Sequence, residues 1–229
     1  MHSFARHNHD KASKASPHAT KGLILNGGWR YDLLSWFHDI FSFRGQWREL
    51  RQRTMTLARI QPSEQVLDVG CGTGTLALEV ARVTGHTGRV VGIDPGTEQI
   101  ARARSKAPQS HAAIEFQVGL IEQIPFPDQT FDVVLSTLMM HHLPIGLKRQ
   151  GLLEIARVLK PRGRLVIADF KHKRDRQGSS AHFHAGGSNL RELVTLIIEA
   201  GFDSITTEEM QPACFSTFPG AGFILAYKH

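Results

Sequence analysis

The chain has 229 residues, of which 41% are hydrophobic and 21% charged, and its formal net charge is +6. This length suits one sizeable α/β domain with a helical extension, and the composition is ordinary for a soluble globular protein. No run reaches the roughly 18 apolar residues that a membrane span requires. Cys71 and Cys214 are the only cysteines, too few for a disulfide framework or a multi-cysteine metal site, so we expect a reducing, cytoplasmic compartment.

The first sixty residues differ in character from the rest. Residues 1–20 are polar and basic, and they lack the apolar core of a secretory signal, so we expect a disordered tail, with a transit peptide as the minor alternative. Residues 21–60 hold all three tryptophans, Trp29, Trp36 and Trp47, together with Tyr31 and several phenylalanines. The pattern predicts helices at about 29–42 and 44–59, which would form a helical lid outside the sheet.

Strand-like and helical patterns then alternate along the chain. Apolar runs typical of buried strands lie at 65–70, 88–94, 113–118, 131–137 and 163–170. Helical patterns lie between them at 75–85, 96–107 and 148–160, and the sequence "PRG" at 161–163 is expected to break the last helix. Such alternation requires a parallel sheet with right-handed crossovers, whose ligand sites lie at the carboxyl ends of the strands.

The C-terminal part adds one helix and two strands. Asn189 followed by Glu192 is typical of a helix start, and Gly201 suits its end. The runs at 202–210 and 222–228 have no helix between them, so they must pair antiparallel. We therefore predict an α/β fold: a seven-stranded Rossmann-like sheet, mostly parallel, with the last strand inserted antiparallel.

The stretch "VLDVGCGTGT" at 66–75 places an acid and three glycines where the first strand meets the first helix. Glycine lets the backbone approach a ligand closely, and a helix N-terminus offers free amide groups. Two ligand classes use this geometry: a dinucleotide, through its pyrophosphate, and S-adenosylmethionine, through its amino-acid end.

Three details favour S-adenosylmethionine. The glycine spacing is G-x-G-x-G, whereas a pyrophosphate loop has G-x-G-x-x-G. Asp68, just ahead of the loop, suits a ligand with a positive ammonium and sulfonium and would repel a diphosphate. Asp94 ends the second strand, 22 residues after Gly72, where a carboxylate can accept both ribose hydroxyls.

At this point the chain resembles the class I S-adenosylmethionine-dependent methyltransferases, and in particular their ubiquinone/menaquinone-type, small-molecule branch. The resemblance covers residues 60–170 and rests on "VLDVGCGTGTLALEVA", "VVGIDPGTEQIARAR", "IPFPDQTFDVVLST", "LMMHHLP" and "LLEIARVLKPRGRLVIADF". "RYDLL" at 30–34 is similar to the start of the family's N-terminal lid helices. The resemblance implies a methyltransferase domain at 61–229 behind the lid at 21–60.

The resemblance also implies which residues bind the cofactor. Asp68 would hold the ammonium, Asp94 the ribose diol, and Pro95 would pack on the adenine. One position departs from the family pattern, because Leu120 stands where the family often has an acid that accepts a hydrogen bond from the adenine amino group. The full implied set is Tyr31, Asp68, Gly70, Cys71, Gly72, Gly74, Asp94, Pro95, Leu120, Ile121, Glu122 and Thr137.

The candidates for acid–base chemistry are histidines. His141 and His142 follow the fourth strand, and His142 is the preferred base, with a loop histidine bonded to backbone as the alternative. Asp169 ends the fifth strand and would orient a substrate group or cap a loop. His182 and His184, near His172, are read as a polar loop, and no metal is predicted. Cys71 is interpreted as packing.

We therefore expect an enzyme that transfers a methyl group in line from S-adenosylmethionine to a small, apolar or aromatic acceptor. The alternatives are an RNA methyltransferase, a non-catalytic S-adenosylmethionine-binding protein and an NAD-dependent oxidoreductase. No N/D-P-P-Y tetrapeptide follows the fourth strand and no RNA-binding module is evident, so no stable nucleic-acid partner is expected. Arg48, Arg51 and Arg53 beside the aromatic lid motivate the hypothesis of a weak membrane-surface association. The acceptor and the oligomeric state stay open.

Overall fold

The computed structural model describes residues 44–109, 113–171, 189–211 and 220–229. These residues form a seven-stranded sheet with the order β3-β2-β1-β4-β5-β7-β6. Strands β1 to β5 pair in parallel, and β7 is antiparallel to both of its neighbours, as predicted. The strands are β1 (Gln65–Val69), β2 (Arg89–Asp94), β3 (Ile114–Val118), β4 (Phe131–Thr137), β5 (Leu159–Phe170), β6 (Phe202–Met210) and β7 (Ala221–Lys228).

Five α-helices lie within the described residues: α1 (Arg44–Ala58), α2 (Thr75–Thr84), α3 (Thr97–Lys106), α4 (Ile145–Val158) and α5 (Leu190–Glu199). Each corresponds to a helix that the sequence predicts. The helix expected at 29–42, the tail at 1–20 and Tyr31 lie outside the described residues. So do Cys214 and the histidines at 172, 182 and 184. None of the described helices is long and apolar enough to cross a membrane.

Two apolar layers enclose the sheet. On one face, α4 and α5 bury side chains such as Leu152, Ile155 and Ile197, whose spacing of three to four residues sets one stripe of each helix against the strands. On the other face, α2 and α3 bury Val80 and Ile100 among others. The architecture is therefore a doubly wound α/β sandwich, in which the strand interiors are apolar on both sides.

Helix α1 packs on the second face, over β5 and β7. Leu50, Thr54 and Ala58, spaced four residues apart, are buried along one side of the helix. Leu50 shares a cluster with Ala168 and Phe223 from the two strands beneath it. The helix that the sequence assigns to the lid is thus part of the core.

The passage from α4 to β5 differs from the expectation. Helix α4 begins at Ile145, three residues before the predicted start, and β5 begins at Leu159, directly after the helix. The residues after Leu159 form an irregularity in the strand, because Phe131 pairs with Leu159 whereas Val133 pairs with Arg164. Pro161 has no amide hydrogen for the ladder, so "PRG" interrupts the pairing of a strand instead of ending the helix.

The start of α5 agrees with the prediction. The Asn189 side-chain oxygen accepts hydrogen bonds from the backbone N–H groups of Arg191 and Glu192, at 3.1 and 3.5 Å. Gly201 follows the helix with a φ of 91°, the left-handed conformation that glycine adopts readily.

An ion pair between Arg164 and Glu64 joins α1, β1 and β5 at the end of the sheet opposite the strand carboxyl ends. Nη1 and Nη2 of Arg164 each donate to one Glu64 carboxylate oxygen, both at 2.8 Å. The side chains of Arg164 and Glu64 are only 12% and 16% exposed. Arg164 also donates to the carbonyl oxygens of Ala58 and Arg59, the last turn of α1. One side chain therefore satisfies helix-end carbonyls and a carboxylate together.

Replacing Arg164 with Met should destabilise the protein by about 2–4 kcal/mol, because Glu64 would lose its cationic partner and the two carbonyls would each lose one donor at a largely buried position. Urea unfolding monitored by circular dichroism measures the difference. Arg102→Met is the matched control, because its pair with Glu98 is exposed and 3.9 Å long, and exposed pairs contribute little. Equal stability of the two variants would contradict the prediction.

Candidate cofactor and acceptor site

The candidate site lies where β1 and β4 are neighbours. Chain connections leave β1 towards β2 on one side, while β4 leads to β5 on the other, so the strand order reverses between β1 and β4. Open α/β sheets bind ligands outside the carboxyl ends of the strands at such a reversal. The sequence-predicted residues Asp68, Asp94, Thr137 and Asp169 all lie at or beside these ends.

The glycine loop between β1 and α2 is held in left-handed conformations. Gly70, Gly72 and Gly74 have φ values of 74°, 52° and 75°. A Cβ on Gly70 would lie 2.6 Å from Met139 Cγ, and one on Gly74 would lie 2.5 Å from the ring of Phe116, so both positions exclude a side chain. A Cβ on Gly72 would meet no atom of the described residues within 4 Å. Gly72 is thus the point at which the loop leaves room for a ligand.

Asp68 is a carboxylate buried in the sheet. It is 1% exposed, and neither carboxylate oxygen has a hydrogen-bond partner among the described residues. Burial, followed by the charge of Asp94, raises its pKa to about 7, and the backbone amide of Ala77 opposes the rise. A buried acceptor without a partner is costly, and a ligand cation would relieve that cost.

Asp94 joins the ends of β1 and β2. Its Oδ2 accepts the Gly72 N–H at 2.9 Å, and its Oδ1 accepts the Gly96 N–H at 2.8 Å. Burial raises the pKa of Asp94, and the two amides oppose that rise. Each carboxylate oxygen can accept more than one hydrogen bond, so Asp94 can shape the glycine loop and still accept ligand hydroxyls.

Cys71 packs into the core beside this loop. It is 9% exposed and belongs to the cluster under α2 and α3. Burial, followed by the charges of Asp68 and Asp94, raises the pKa of its thiol far above the ordinary value. A thiol that stays protonated is a poor nucleophile, in agreement with the interpretation of Cys71 as packing.

A tight turn from Leu120 to Gln123 follows β3, at the place where the resemblance puts the adenine edge. Leu120 is partly buried, Ile121 is 6% exposed against Gly151 of α4, and Glu122 is 7% exposed. Glu122 Oε1 has no hydrogen-bond partner among the described residues. The turn thus presents a buried acceptor although an acid is missing at Leu120.

Two residues that the sequence reasoning missed hold the chain after this turn. Glu154 accepts the Ile124 N–H at 2.9 Å, and Arg157 donates to the carbonyl oxygens of Ile124 and Phe126 at 2.9 and 2.8 Å. Arg157 also pairs with Glu154 itself. The signal in the sequence was the spacing of Glu154 and Arg157, which puts both on one side of α4.

On the acceptor side, His141 and Asp169 meet across the ends of β4 and β5. His141 Nδ1 lies 2.6 Å from Asp169 Oδ1, and the His141 N–H donates to Oδ2 at 2.8 Å. The Asp169 side chain is completely buried, and that of His141 is 12% exposed. The sequence preferred His142 as the base, but the structure joins His141 to the carboxylate.

The ring of His142 packs at a tilt against the ring of His141 instead. The two imidazole ring centroids are 3.8 Å apart, with 44° between the planes. Burial, followed by the nearby His141, lowers the pKa of His142, and Asp169 opposes this shift. His142 is therefore mainly neutral at pH 7 and offers a flat face next to His141.

Aromatic rings continue from His141 to α1. The Phe170 ring centroid is 5.3 Å from that of His141 and 6.0 Å from that of Trp47, which meets it edge-on. We call Trp47, Phe170 and His141 the aromatic wall. It borders the carboxyl ends of β4 and β5, beside Leu138, whose positive φ of 54° marks a strained backbone just after Thr137.

The fold and the geometry define a class of protein: a Rossmann-like, class I methyltransferase sheet with a cradle for a cationic nucleoside. The cradle fits S-adenosylmethionine, because an unpartnered buried carboxylate, an open glycine and a second carboxylate at the end of β2 stand at the same edge of the sheet. A model of the family described as "Methyltransferase domain" matches residues 60–213. The chain belongs to this family, which confirms the predicted methyltransferase class and its cofactor, S-adenosylmethionine.

Curated relatives support the ubiquinone/menaquinone-type branch. The chain is 40% identical to a ubiquinone/menaquinone biosynthesis C-methyltransferase of Geobacter sulfurreducens over 64% of its own length and 56% of that protein. It is 35% identical to a demethylmenaquinone methyltransferase of Bacillus licheniformis over 58% and 55% of the two lengths. The chain thus spans little more than half the length of these relatives.

Solved structures share the fold. A methyltransferase from Aquifex aeolicus described as S-adenosylmethionine-dependent superposes with a TM-score of 0.61 at 21% identity, over 78% of this chain and 89% of that one. The [4+2]-cyclase SpnF superposes with a TM-score of 0.65 at 22% identity, over 79% and 80%. One fold thus carries proteins with different reactions, so the acceptor must be argued from the site.

Asp68→Asn should lower the affinity for S-adenosylhomocysteine at least tenfold, whereas the affinity for methylthioadenosine, which lacks the amino-acid ammonium, should change little. In the unsubstituted protein, the affinity for S-adenosylhomocysteine should rise with pH through about 7, as Asp68 ionises. Calorimetric titration at pH 6 and pH 8 measures both effects. Asp203→Asn, at an exposed carboxylate in β6, is the control. Equal losses for the two ligands would refute the ammonium assignment.

The same substitution should change the stability of the free protein in the opposite sense. A carboxyl whose folded pKa is about 7 instead of 3.8 binds its proton more tightly in the folded state. Its contribution to stability is therefore complete below about pH 4 and is lost as the pH rises through 7. Asp68→Asn should remove this loss and stabilise the protein at pH 8 by on the order of a few kcal/mol. Urea unfolding at pH 5 and pH 8 tests this, and a variant less stable at pH 8 would contradict it.

Asp94→Asn should weaken both ligands, because both carry the ribose whose hydroxyls we expect Asp94 to accept. The expected loss is about tenfold to a hundredfold for each, as for a hydrogen bond to a charged acceptor. Comparison with 2′-deoxy analogues in the same calorimetric titration separates ribose contact from loop distortion. Unchanged discrimination between ribose and deoxyribose in the variant would show that Asp94 acts only through the glycine loop.

Proposed function

We propose that this protein is an enzyme that transfers a methyl group from S-adenosylmethionine to a small aromatic acceptor of the quinol type. The observation that carries the proposal is the aromatic wall at the carboxyl ends of β4 and β5, next to the cofactor cradle at the ends of β1 and β2. Flat rings in this position suit an apolar, aromatic acceptor better than a polar one.

The cofactor supplies the activated group. When bound, S-adenosylmethionine offers a methyl whose bond to sulfur breaks with the electron pair remaining on sulfur. The chain would hold it through Asp68, Asp94 and the glycine loop, with Pro95 against the adenine and the turn at Leu120–Glu122 along its edge. Thr137, at the end of β4, would lie beside the methyl donor.

The remaining task of the protein is alignment. In-line transfer needs the acceptor atom placed opposite the departing sulfur, with water kept away. Asp169 and Phe170 are the last two residues of β5. The strand therefore places the aromatic wall next to the pair formed by His141 and Asp169. Helix α1 carries Trp47 of the wall, one turn before Leu50, which is buried against the sheet.

The relatives support the same acceptor class. Two of the proteins similar to this chain are named as a ubiquinone/menaquinone biosynthesis C-methyltransferase and a demethylmenaquinone methyltransferase. Those names describe the relatives. For this chain a quinol acceptor is a proposal, supported by the family model, whose match at residues 60–213 includes both the cradle and the ends of β4 and β5.

Nucleic acid is a weaker candidate than the charge of the chain indicates. Of the four arginines on α1, Arg51 pairs with Glu79 at 2.9 Å and Arg53 pairs with Glu208 at 2.6 Å. Paired arginines contribute little to the field that attracts a phosphate backbone. The same pairs weaken the hypothesis of a membrane-surface association through α1.

Trp47→Ala should raise the KM for a demethylated naphthoquinol at least tenfold, because the acceptor would lose aromatic contact area. Affinity for S-adenosylhomocysteine should stay within twofold, since Trp47 does not belong to the cradle. Methyl transfer from radiolabelled S-adenosylmethionine measures turnover, and Gln52→Ala, at an exposed position of α1, is the control. Failure of the unsubstituted protein to methylate any quinol or phenol, with S-adenosylhomocysteine bound normally, would refute the acceptor class and leave the cofactor assignment standing.

A further inference from the structure

We infer that His141, held by Asp169, takes the proton from a hydroxyl group of the acceptor, so that the acceptor must be an ionisable phenol or enol. The inference rests on the proposed function and adds to it the acceptor's reacting group and the residue that activates it. His141 is the catalytic residue of this pair, and Asp169 is a positioning residue.

The first support is that Asp169 fixes His141 at two points. One carboxylate oxygen accepts the backbone N–H of His141 and the other lies 2.6 Å from the ring Nδ1. The second of these oxygens also accepts the Phe170 N–H at 2.8 Å. A loop cap would need only the backbone contact. The additional ring contact fixes the imidazole orientation, which is what a proton acceptor requires.

The second support is the tautomer that this contact favours. A carboxylate beside Nδ1 favours the tautomer in which Nδ1 carries the hydrogen and donates it. The lone pair of the neutral ring then resides on Nε2, the nitrogen on the far side from Asp169. Nε2 can then accept a proton while Nδ1 keeps its hydrogen bond to Asp169.

The third support is where the ring sits. His141 lies between two flat neighbours, His142 at 3.8 Å and Phe170 at 5.3 Å between centroids. The titratable groups in contact with His141 from the described residues are Asp169 on β5 and His142 on its own segment. The lowered pKa of His142 keeps that ring neutral at pH 7, so His142 does not compete for the carboxylate.

The proton balance is simple. The acceptor O–H bond breaks, its proton moves to His141 Nε2, and its electron pair remains on the acceptor, shared between the oxygen and the ring. That pair forms the new bond to the transferred methyl. After methylation at oxygen, His141 returns its proton to water. After methylation at a ring carbon, the C–H bond at that carbon also breaks and its proton goes to water, while the acceptor oxygen takes back the proton from His141.

The test uses a chromogenic nitrophenol bound to the full chain together with S-adenosylhomocysteine, so that no methyl transfer occurs. At a pH about one unit below the free phenol's pKa, the unsubstituted protein should show the absorbance of bound phenolate. His141→Asn should show the neutral phenol, with S-adenosylhomocysteine affinity unchanged by calorimetry. Asp169→Asn should give an intermediate phenolate signal, and His86→Asn, at an exposed histidine on the turn before β2, should equal the unsubstituted protein.

Turnover gives an independent readout with acceptors of graded acidity. His141→Asn should slow methylation of a weakly acidic phenol (pKa about 10) at least a hundredfold. It should slow methylation of a phenol that is already ionised at the assay pH by less than fivefold. A structural role for His141 would slow both acceptors equally.

The outcomes separate the two proposals. Equal phenolate signals in the unsubstituted protein and His141→Asn would overturn the inference while the proposed function stands. So would equal losses of turnover for the two phenols. Absence of S-adenosylhomocysteine binding to the unsubstituted protein would overturn the proposed function itself.

Discussion

Two carboxylates at neighbouring strand ends are the constraint on which the site depends. Asp68 is buried with no counterion among the described residues, and the charge of Asp94 adds to the cost of ionising it. Asp94 is stabilised by two backbone amides, which tie the glycine loop to the end of β2. In the free protein, the unneutralised carboxylate of Asp68 thus lowers stability at the place where a cationic ligand would neutralise it. This is an example of function retained at a cost in stability.

The sheet holds the two carboxylates and the glycine loop in place by surrounding them with apolar contacts. Strands β1 and β4 are buried on both faces, so the backbone that carries Asp68 and Thr137 has little freedom to relax away from the unfavourable charge. Met139 and Phe116 pack against the two glycines that exclude a side chain. The loop conformation is therefore enforced from the core rather than by the ligand.

The acceptor side follows the same logic with a different pair of strands. Asp169 at the end of β5 holds His141, in the segment after β4, through both the backbone N–H and the ring of that histidine. Trp47 on α1 contacts Phe170, which also ends β5. Helix α1 is held by the buried side chain of Leu50 and by the hydrogen bond from Arg164 to its last carbonyl. Donor and acceptor residues thus share one edge because parallel strands bring all of their carboxyl ends to the same side.

The sequence by itself determined the succession of seven strands along the chain, the cap at Asn189, and the acids Asp68 and Asp94 at the ends of β1 and β2. It could do so because hydrophobic periodicity, glycine spacing and helix capping are local properties. It could not place the boundary between α4 and β5, because the burial of Leu159 and the pairing of Phe131 overrode the local signal of Pro161. Nor could it choose between His141 and His142, which are adjacent in the chain and equivalent in type. Only the tertiary structure decided this, since the choice depends on which ring faces a carboxylate 28 residues away. The spacing of Glu154 and Arg157 places both on one side of α4, but only the tertiary structure shows that they hold the chain after β3. The pairing of Arg51 and Arg53 on α1 was likewise decided by contacts with distant segments.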